Sequence, residues 1–170
     1  MSQTINIQVT LDAEGIMRTY PNPSKDPNNP TGIAHNFGYM VATANAQSGS
    51  GTGDLTFSAL VGDSVRFFGV TASNNFENSA LIYGLPRFGG TQVFSDFHSY
   101  TFTKNGVSPS GESVLPAHVG EEKFWFFQAE VIAAGTENYK VQFALYNRDG
   151  SGNPVLFGYY NWDPTITVAG

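Results

Sequence analysis

The sequence predicts an all-β chain folded as a two-sheet antiparallel β-sandwich, Greek-key or jelly-roll-like in its wiring, with at most one short helix. Three observations predict it. Short runs alternate apolar with polar residues, Gly, Asn, Ser and Pro clusters punctuate those runs, and aromatics reach 14% of the chain while charged residues make up only 13%. Unequal loops and one long crossover favour an open sandwich over a closed barrel. With 170 residues and no linker between patterned segments, residues 1–170 read as a single domain. A chain of this size buries roughly 70% of the surface its unfolded form exposes, so it can hold its own core.

Taken in order, Ile5, Ile7, Val9 and Leu11 alternate with Asn6, Gln8 and Thr10, the period of a strand with one buried face. Asp12 follows where it can cap the free N–H groups of AEGIMRTY, in which Ile16 and Tyr20 share a helical face. This predicts a short helix that Pro21 ends and Gly15 weakens. The next stretch, YPNPSKDPNNPTGI from Tyr20 to Ile33, carries four prolines in fourteen residues and excludes both helix and central strand. It reads as a stiff crossover whose Asn22, Ser24, Asp26, Asn28, Asn29 and Thr31 close local turns.

Residues 37–43 (FGYMVAT) read as strand and residues 44–54 as a mobile Gly/Ser loop. DLTFSAL, SVRFFGVTAS and ALIYGL continue the strand pattern, with turns at Gly62-Asp63 and Asn74-Asn75. Residues 93–103 alternate less cleanly, and KNGVSPSGES (104–113) has the composition of another exposed loop. In the last third, KFWFFQAEVIAA, YKVQFALYN and VLFGYYNW, joined by GTEN and RDGSGNP, predict an antiparallel three-strand meander. TITV adds a strand after Pro164.

Bulk chemistry narrows the function. A formal charge of −6, with eight Lys or Arg scattered singly, gives no electrostatic footprint for nucleic acid. The absence of cysteine excludes disulfides, thiolate metal sites and a Cys nucleophile. No apolar run approaches the ~18 residues of a membrane span, and the start lacks a signal-peptide pattern, so the expectation is a cytoplasmic protein, with export by a route without a classical signal left open. P-loop, dinucleotide, H-E-x-x-H and G-x-S-x-G motifs are missing, so no catalytic residue and no cofactor is assigned.

Two weaker constellations are weighed against plain structural roles. His35, His98 and His118 lie in separate segments, and only Asp96 and His98 share a strand face, so surface hydrogen bonding is favoured over metal binding or base chemistry. Asn147, Asp149, Ser151 and Asn153 alternate as oxygen donors, yet the Glu that completes an EF-hand loop is absent; a hairpin turn is the reading, and no metal is assigned. Trp125 belongs to the core or to a subunit interface. Trp162, between Asn161 and Asp163 at a strand end, has the composition of a sugar-stacking site. Asn28, Asn29, Asn161, Trp162 and Asp163 are therefore the candidate ligand-binding set, with a glycan as ligand. A polar, weakly charged surface with exposed aromatics also suits a homo-oligomer.

The run INIQVTLDAEGIMRTYPNPSKDPNNPTGI, the following HNFGYMV and the later GDSVRFFGVTAS together resemble the bacterial AidA/PixA inclusion-body family. Y-P-N-P-S followed by P-x-x-P-T-G-I carries most of the resemblance: Tyr20, Pro21, Asn22, Pro23, Ser24, Pro30, Thr31 and Gly32 match its pattern. The resemblance implies a compact β-sandwich made abundantly by a host-associated bacterium, cytoplasmic or in inclusions, with no established reaction. Three methionines, Met1, Met17 and Met40, set this chain apart from methionine-rich relatives. The reading that follows is a non-enzymatic, self-associating β-sandwich protein acting in host or community interaction, with a carbohydrate-binding lectin, calcium-assisted or not, as the alternative.

Overall fold

In the computed structural model, which describes residues 2–43 and 46–170, strand dominates and the α-helix is a single short one. The first strand, β1 (Thr4–Leu11), buries Ile5, Ile7, Val9 and Leu11 as its alternation predicts. The helix α1 (Ala13–Thr19) starts at Asp12, whose Oδ1 accepts from the Gly15 N–H at 2.9 Å. Gly15 is an asset there: a Cβ would collide with the capping carboxylate, so the residue that lowers helix propensity is the one that admits the cap. Beyond the crossover come β2 (Thr31–Gly32), a 3-10 turn at His35–Phe37 and β3 (Gly38–Ala42).

Short strands β4 (Ala46–Ser48) and β5 (Asp54–Ser58) precede β6 (Ser64–Thr71), β7 (Ser79–Gly84) and β8 (Arg87–Gly90). Two long strands, β9 (His98–Ser110) and β10 (Ser113–Glu130), are followed by β11 (Gly135–Tyr139), β12 (Val141–Arg148), β13 (Pro154–Trp162) and β14 (Thr165–Ala169). Of the expected mobile loop, residues 44 and 45 lie outside the described residues. The remainder pairs as β4 against β5 and then turns back, with Thr52 Oγ1 donating to the Gly49 carbonyl at 2.8 Å.

The all-β expectation holds, but the two-sheet antiparallel sandwich is corrected to three mixed sheets, ordered β3-β1-β6-β10-β9, β4-β5-β14-β11-β8 and β2-β13-β12-β7. Parallel pairs join β1 to β6, β14 to β5 and β13 to β2. The order β14-β11-β8 repeats β13-β12-β7, because each of those three chain segments runs from one sheet into the other. The breaks fall at Pro86, Lys140 and Pro164. A proline has no N–H to give a ladder, and the interruption is closed instead by Lys140 N–H to Pro86 O at 2.9 Å and Tyr139 N–H to Pro164 O at 3.3 Å. Inward residues of all three sheets, from Ile7 and Phe67 to Phe143, Tyr160, Trp162, Phe57 and Ile166, share one core.

The expected three-strand meander is corrected as well. β12 and β13 do form a hairpin, with Val141 opposite Trp162 and Arg148 opposite Pro154. β10, however, pairs with β6 and β9, and GTEN is itself most of β11, pairing with β14 and β8. The Asn, Asp and Gly residues of the RDGSGNP turn act as turn formers: Asp149 Oδ1 accepts from Ser151 N–H at 2.8 Å and Asn153 N–H at 2.9 Å. These two backbone bonds hold the Asp149 carboxyl below its ordinary pKa.

The proline crossover runs along the free side of β13. Ser24 bridges to Tyr159, whose N–H donates to the Ser24 carbonyl at 2.9 Å, and Thr31 and Gly32 lie in parallel register with Tyr160 and Asn161. Internally, Ser24 N–H donates to Thr31 Oγ1 and Asn28 N–H to Asp26 Oδ1, each at 2.9 Å. The segment thus closes its own turns and covers a sheet edge that would otherwise be open to pairing.

Candidate interaction surface

The structure gives the five residues of the predicted ligand set different roles. Trp162 is fully buried, its indole N–H donating to the His35 carbonyl at 3.0 Å and its ring packed against Gly38, where a Cβ would stand 2.6 Å away. An indole with no exposed face stacks on the fold itself, which corrects the sugar-platform reading of Trp162. Asn161 spends its side-chain amide on the Pro30 carbonyl at 3.0 Å and so fastens the crossover. Asn28 and Asn29 are exposed on the crossover, their N–H groups turned to Asp26. Asp163 is exposed beside His35, 3.9 Å from Nδ1.

His35 also meets Asp54 through Nε2 at 3.2 Å, a partner that the sequence separation of the two residues conceals. The three histidines do not converge: His35 lies in the 3-10 turn, His98 opens β9 and His118 sits in the far half of β10. Among the described residues, no group of three or more His, Cys, Asp or Glu is placed to hold a metal ion, and no helix is long and apolar enough to cross a membrane.

The least generic surface lies on the outer face of the five-stranded sheet. β1 gives its odd-numbered residues to the core, so Asn6 and Gln8 face outward, and the register places Asn6 beside Arg66 and Gln8 beside Phe68 on β6. Gln128 lies across from Arg66, and the next outward residue of β10, Phe126, meets the Phe68 ring at 5.2 Å between centroids. Tyr100 and Phe102 of β9 stand opposite Phe126 and Phe124. Phe102 stacks 5.7 Å from Phe126 and 6.4 Å from Tyr100. The result is a continuous aromatic tract across three strands, on the side of the sheet away from the core.

A groove of about 840 Å³ runs along this tract, lined by Phe68, Phe102, Phe124 and Phe126 and rimmed by Asn6, Arg66, Lys104 and Asn105. The Arg66 guanidinium lies 4.7 Å over the Phe126 ring, with Nε donating to Gln128 Oε1 at 2.8 Å. The Lys104 ammonium sits 5.9 Å over Phe102. Cation–π contact and the hydrogen bond to the Gln128 amide oxygen hold the Arg66 guanidinium at the groove wall, and cation–π contact places the Lys104 ammonium there.

β9 and β10 then leave the sheet. Pairing with β6 ends at Phe127, while pairing between β9 and β10 continues through Phe124 opposite Phe102 and Gly120 opposite Gly106 to His118 opposite Ser108. The expected loop 104–113 is therefore half of a two-stranded arm, at about 3.4 Å per residue roughly 30 Å long. Gly, Ser and Pro dominate locally, but Val107 and Val119 find each other across the ladder, Gly111 takes φ +58° at the tip, and Pro116 falls in the irregular stretch between the Ser113 and His118 pairs. On this arm Val107, Val114, Leu115 and Val119 are all more than half exposed.

The family model of the PixA inclusion body proteins matches residues 3–168. A crystal structure of the inclusion body protein PixA from Burkholderia cenocepacia superposes with a TM-score of 0.86 at 31% identity, covering 99% of this chain and 97% of that one. No curated protein matches the chain. The proline crossover, its clasp along β13 and the mixed-sheet fold it closes thus belong to a protein that is a member of the PixA inclusion body family.

Proposed function

We propose that this chain is a non-enzymatic protein whose work is self-association, with the β9–β10 arm as the contact that joins one copy to another. The arm carries the reading. A two-stranded ribbon alone in water is marginally stable, because it has no third strand or helix to cover its faces. Here the ribbon presents four exposed aliphatic residues and two edges that are unpaired among the described residues, since β9 ends the sheet order and β10 has left β6. Long open edges pair with other strands unless something covers them. A second copy offering the same ribbon is self-complementary by two-fold symmetry. A role in exchange between a bacterium and its host or neighbours rests on the family resemblance alone.

Sedimentation velocity tests the reading. The full chain is expected to sediment as a dimer or larger species as its concentration rises through the micromolar range. A variant in which residues 106–120 are replaced by Asn-Gly, joining the opposed Asn105 and Glu121 through a tight turn, is expected to stay monomeric with an unchanged far-UV spectrum in its remaining strands. Leu115→Lys with Val119→Lys, which keeps the arm, is expected to weaken assembly too. A full chain that stays monomeric at high concentration, or a shortened one that assembles equally well, overturns the proposal.

A further inference from the structure

From the groove on the outer sheet face, we infer a binding site for a small amphiphilic carboxylate, with the anionic head on Arg66 and Lys104 and the apolar body on the Phe68, Phe102, Phe124 and Phe126 rings. This goes beyond self-association and does not depend on it. Size fits first: about 840 Å³ lies within the range of small-molecule sites, roughly 300–1,000 Å³. The lining is mostly aromatic, with a few polar groups at its rim, as such sites are.

Charge then selects the ligand. The chain carries fourteen Asp and Glu against eight Lys and Arg, yet the groove is lined by two cations and no carboxylate. Neither cation has an ion pair among the described residues. Glu122 stands opposite Lys104 in the ladder, but its carboxylate is turned toward Gly106, and it lines a separate hollow with His118 and Glu121. Among the described residues Arg66 uses only Nε, on Gln128, which leaves both Nη groups to take the two oxygens of a carboxylate side by side. Stacking on Phe126 holds the guanidinium plane in place before a ligand arrives, which lowers the cost of ordering it.

The neutral polar groups agree with this assignment. Asn6 and Asn105 at the rim can donate to the same head group, while Gln8 already gives its amide to the Val9 and Phe68 carbonyls. A neutral amphiphile of equal length would cover the same rings but offer the Arg66 and Lys104 charges only an uncharged hydroxyl. Preference for the anion is therefore the signature of the site.

Calorimetric titration of the full chain with decanoate and with decanol reads that signature. Decanoate is expected to bind saturably, one per chain, at least about tenfold tighter than decanol, as charge-assisted bonds to a positioned Arg require. Arg66→Gln should abolish the preference, Lys104→Gln should reduce it and make the remainder less salt-sensitive, and Phe102→Ser should weaken both ligands alike. The variant lacking residues 106–120 keeps every lining residue and is expected to bind decanoate as the full chain does, which separates this site from arm-mediated assembly. Equal affinity for the two ligands, unchanged decanoate binding in Arg66→Gln, or uptake that never saturates overturns the proposal. So does a second copy of the chain covering the groove and excluding decanoate.

Discussion

Glu137 Oε1 accepts from Arg87 Nε at 3.0 Å, and the carboxylate that does so is 1% exposed while the arginine is 42% exposed. The other oxygen, Oε2, takes the N–H groups of Val93 at 2.6 Å and Phe94 at 3.0 Å. One buried acid thus ties β11 to β8 and to the segment entering the arm. Burial first, and then the neighbouring Glu137 carboxylate, push the Tyr139 hydroxyl up, so it keeps its proton throughout the physiological range.

Removing that acid strands two buried backbone donors. Glu137→Ala is expected to cost about 2–5 kcal/mol in urea unfolding, against a smaller loss for Glu137→Gln, which keeps an acceptor. Arg87→Ala should cost less than Glu137→Ala, because the Val93 and Phe94 donors keep the carboxylate hydrogen-bonded.

Gly38 is the point where β3 meets the Trp162 ring, and no side chain fits between them. Gly38→Ala is expected to destabilise by about 1–3 kcal/mol through overpacking, with Trp162 emission shifted as the indole moves. Equal stability would mean that the ring has room to withdraw.

Asp63, 4% exposed, has its carboxyl held below its ordinary pKa by the Gln3 N–H first and the Leu60 N–H second. A lowered folded pKa gives stability that is present above the unfolded value of about 3.9 and is lost as pH falls through the folded one. Unfolding free energy is therefore expected to drop below about pH 4. In Asp63→Asn this part of the pH dependence should vanish, and thermal unfolding followed at several pH values from neutral into the acid range compares the two curves. Asp149 titrates in the same sense, so Asp149→Asn is the control that isolates the Asp63 share.

The crossover makes its own prediction. Pro23 packs on Gly158 and Pro30 hands its carbonyl to Asn161, so both hold the segment on β13. Pro23→Ala with Pro30→Ala is expected to lower stability by about 1–2 kcal/mol, chiefly by freeing the unfolded chain, and to leave decanoate titration unchanged. Unchanged melting with lost ligand affinity would instead make the crossover a site.

Some of this was written locally and some was not. The alternation of Ile5 to Leu11, the Asp12 cap, the β12–β13 hairpin and the self-closing proline crossover are decided within a few residues, and periodicity and turn chemistry expose them directly. Pairing between distant segments has no such local signature. The parallel register of β1 with β6, the break of one layer into two at Pro86 and Pro164, and the recruitment of KNGVSPSGES into an arm all depend on what lies across the ladder. For the same reason the sequence ranks Trp162 beside Asn161 and Asp163 as a platform, when Gly38 and His35 close over it in the fold. It likewise scatters Arg66, Lys104 and the Phe residues over separate strands that only the sheet brings to one face. Sequence by itself determined the strands and turns that periodicity and turn chemistry set within a few residues, from β1 to the β12–β13 hairpin; tertiary structure alone decided which strands meet, that KNGVSPSGES and GTEN are strand, and with them which aromatic rings are core and which line a groove on the outer face.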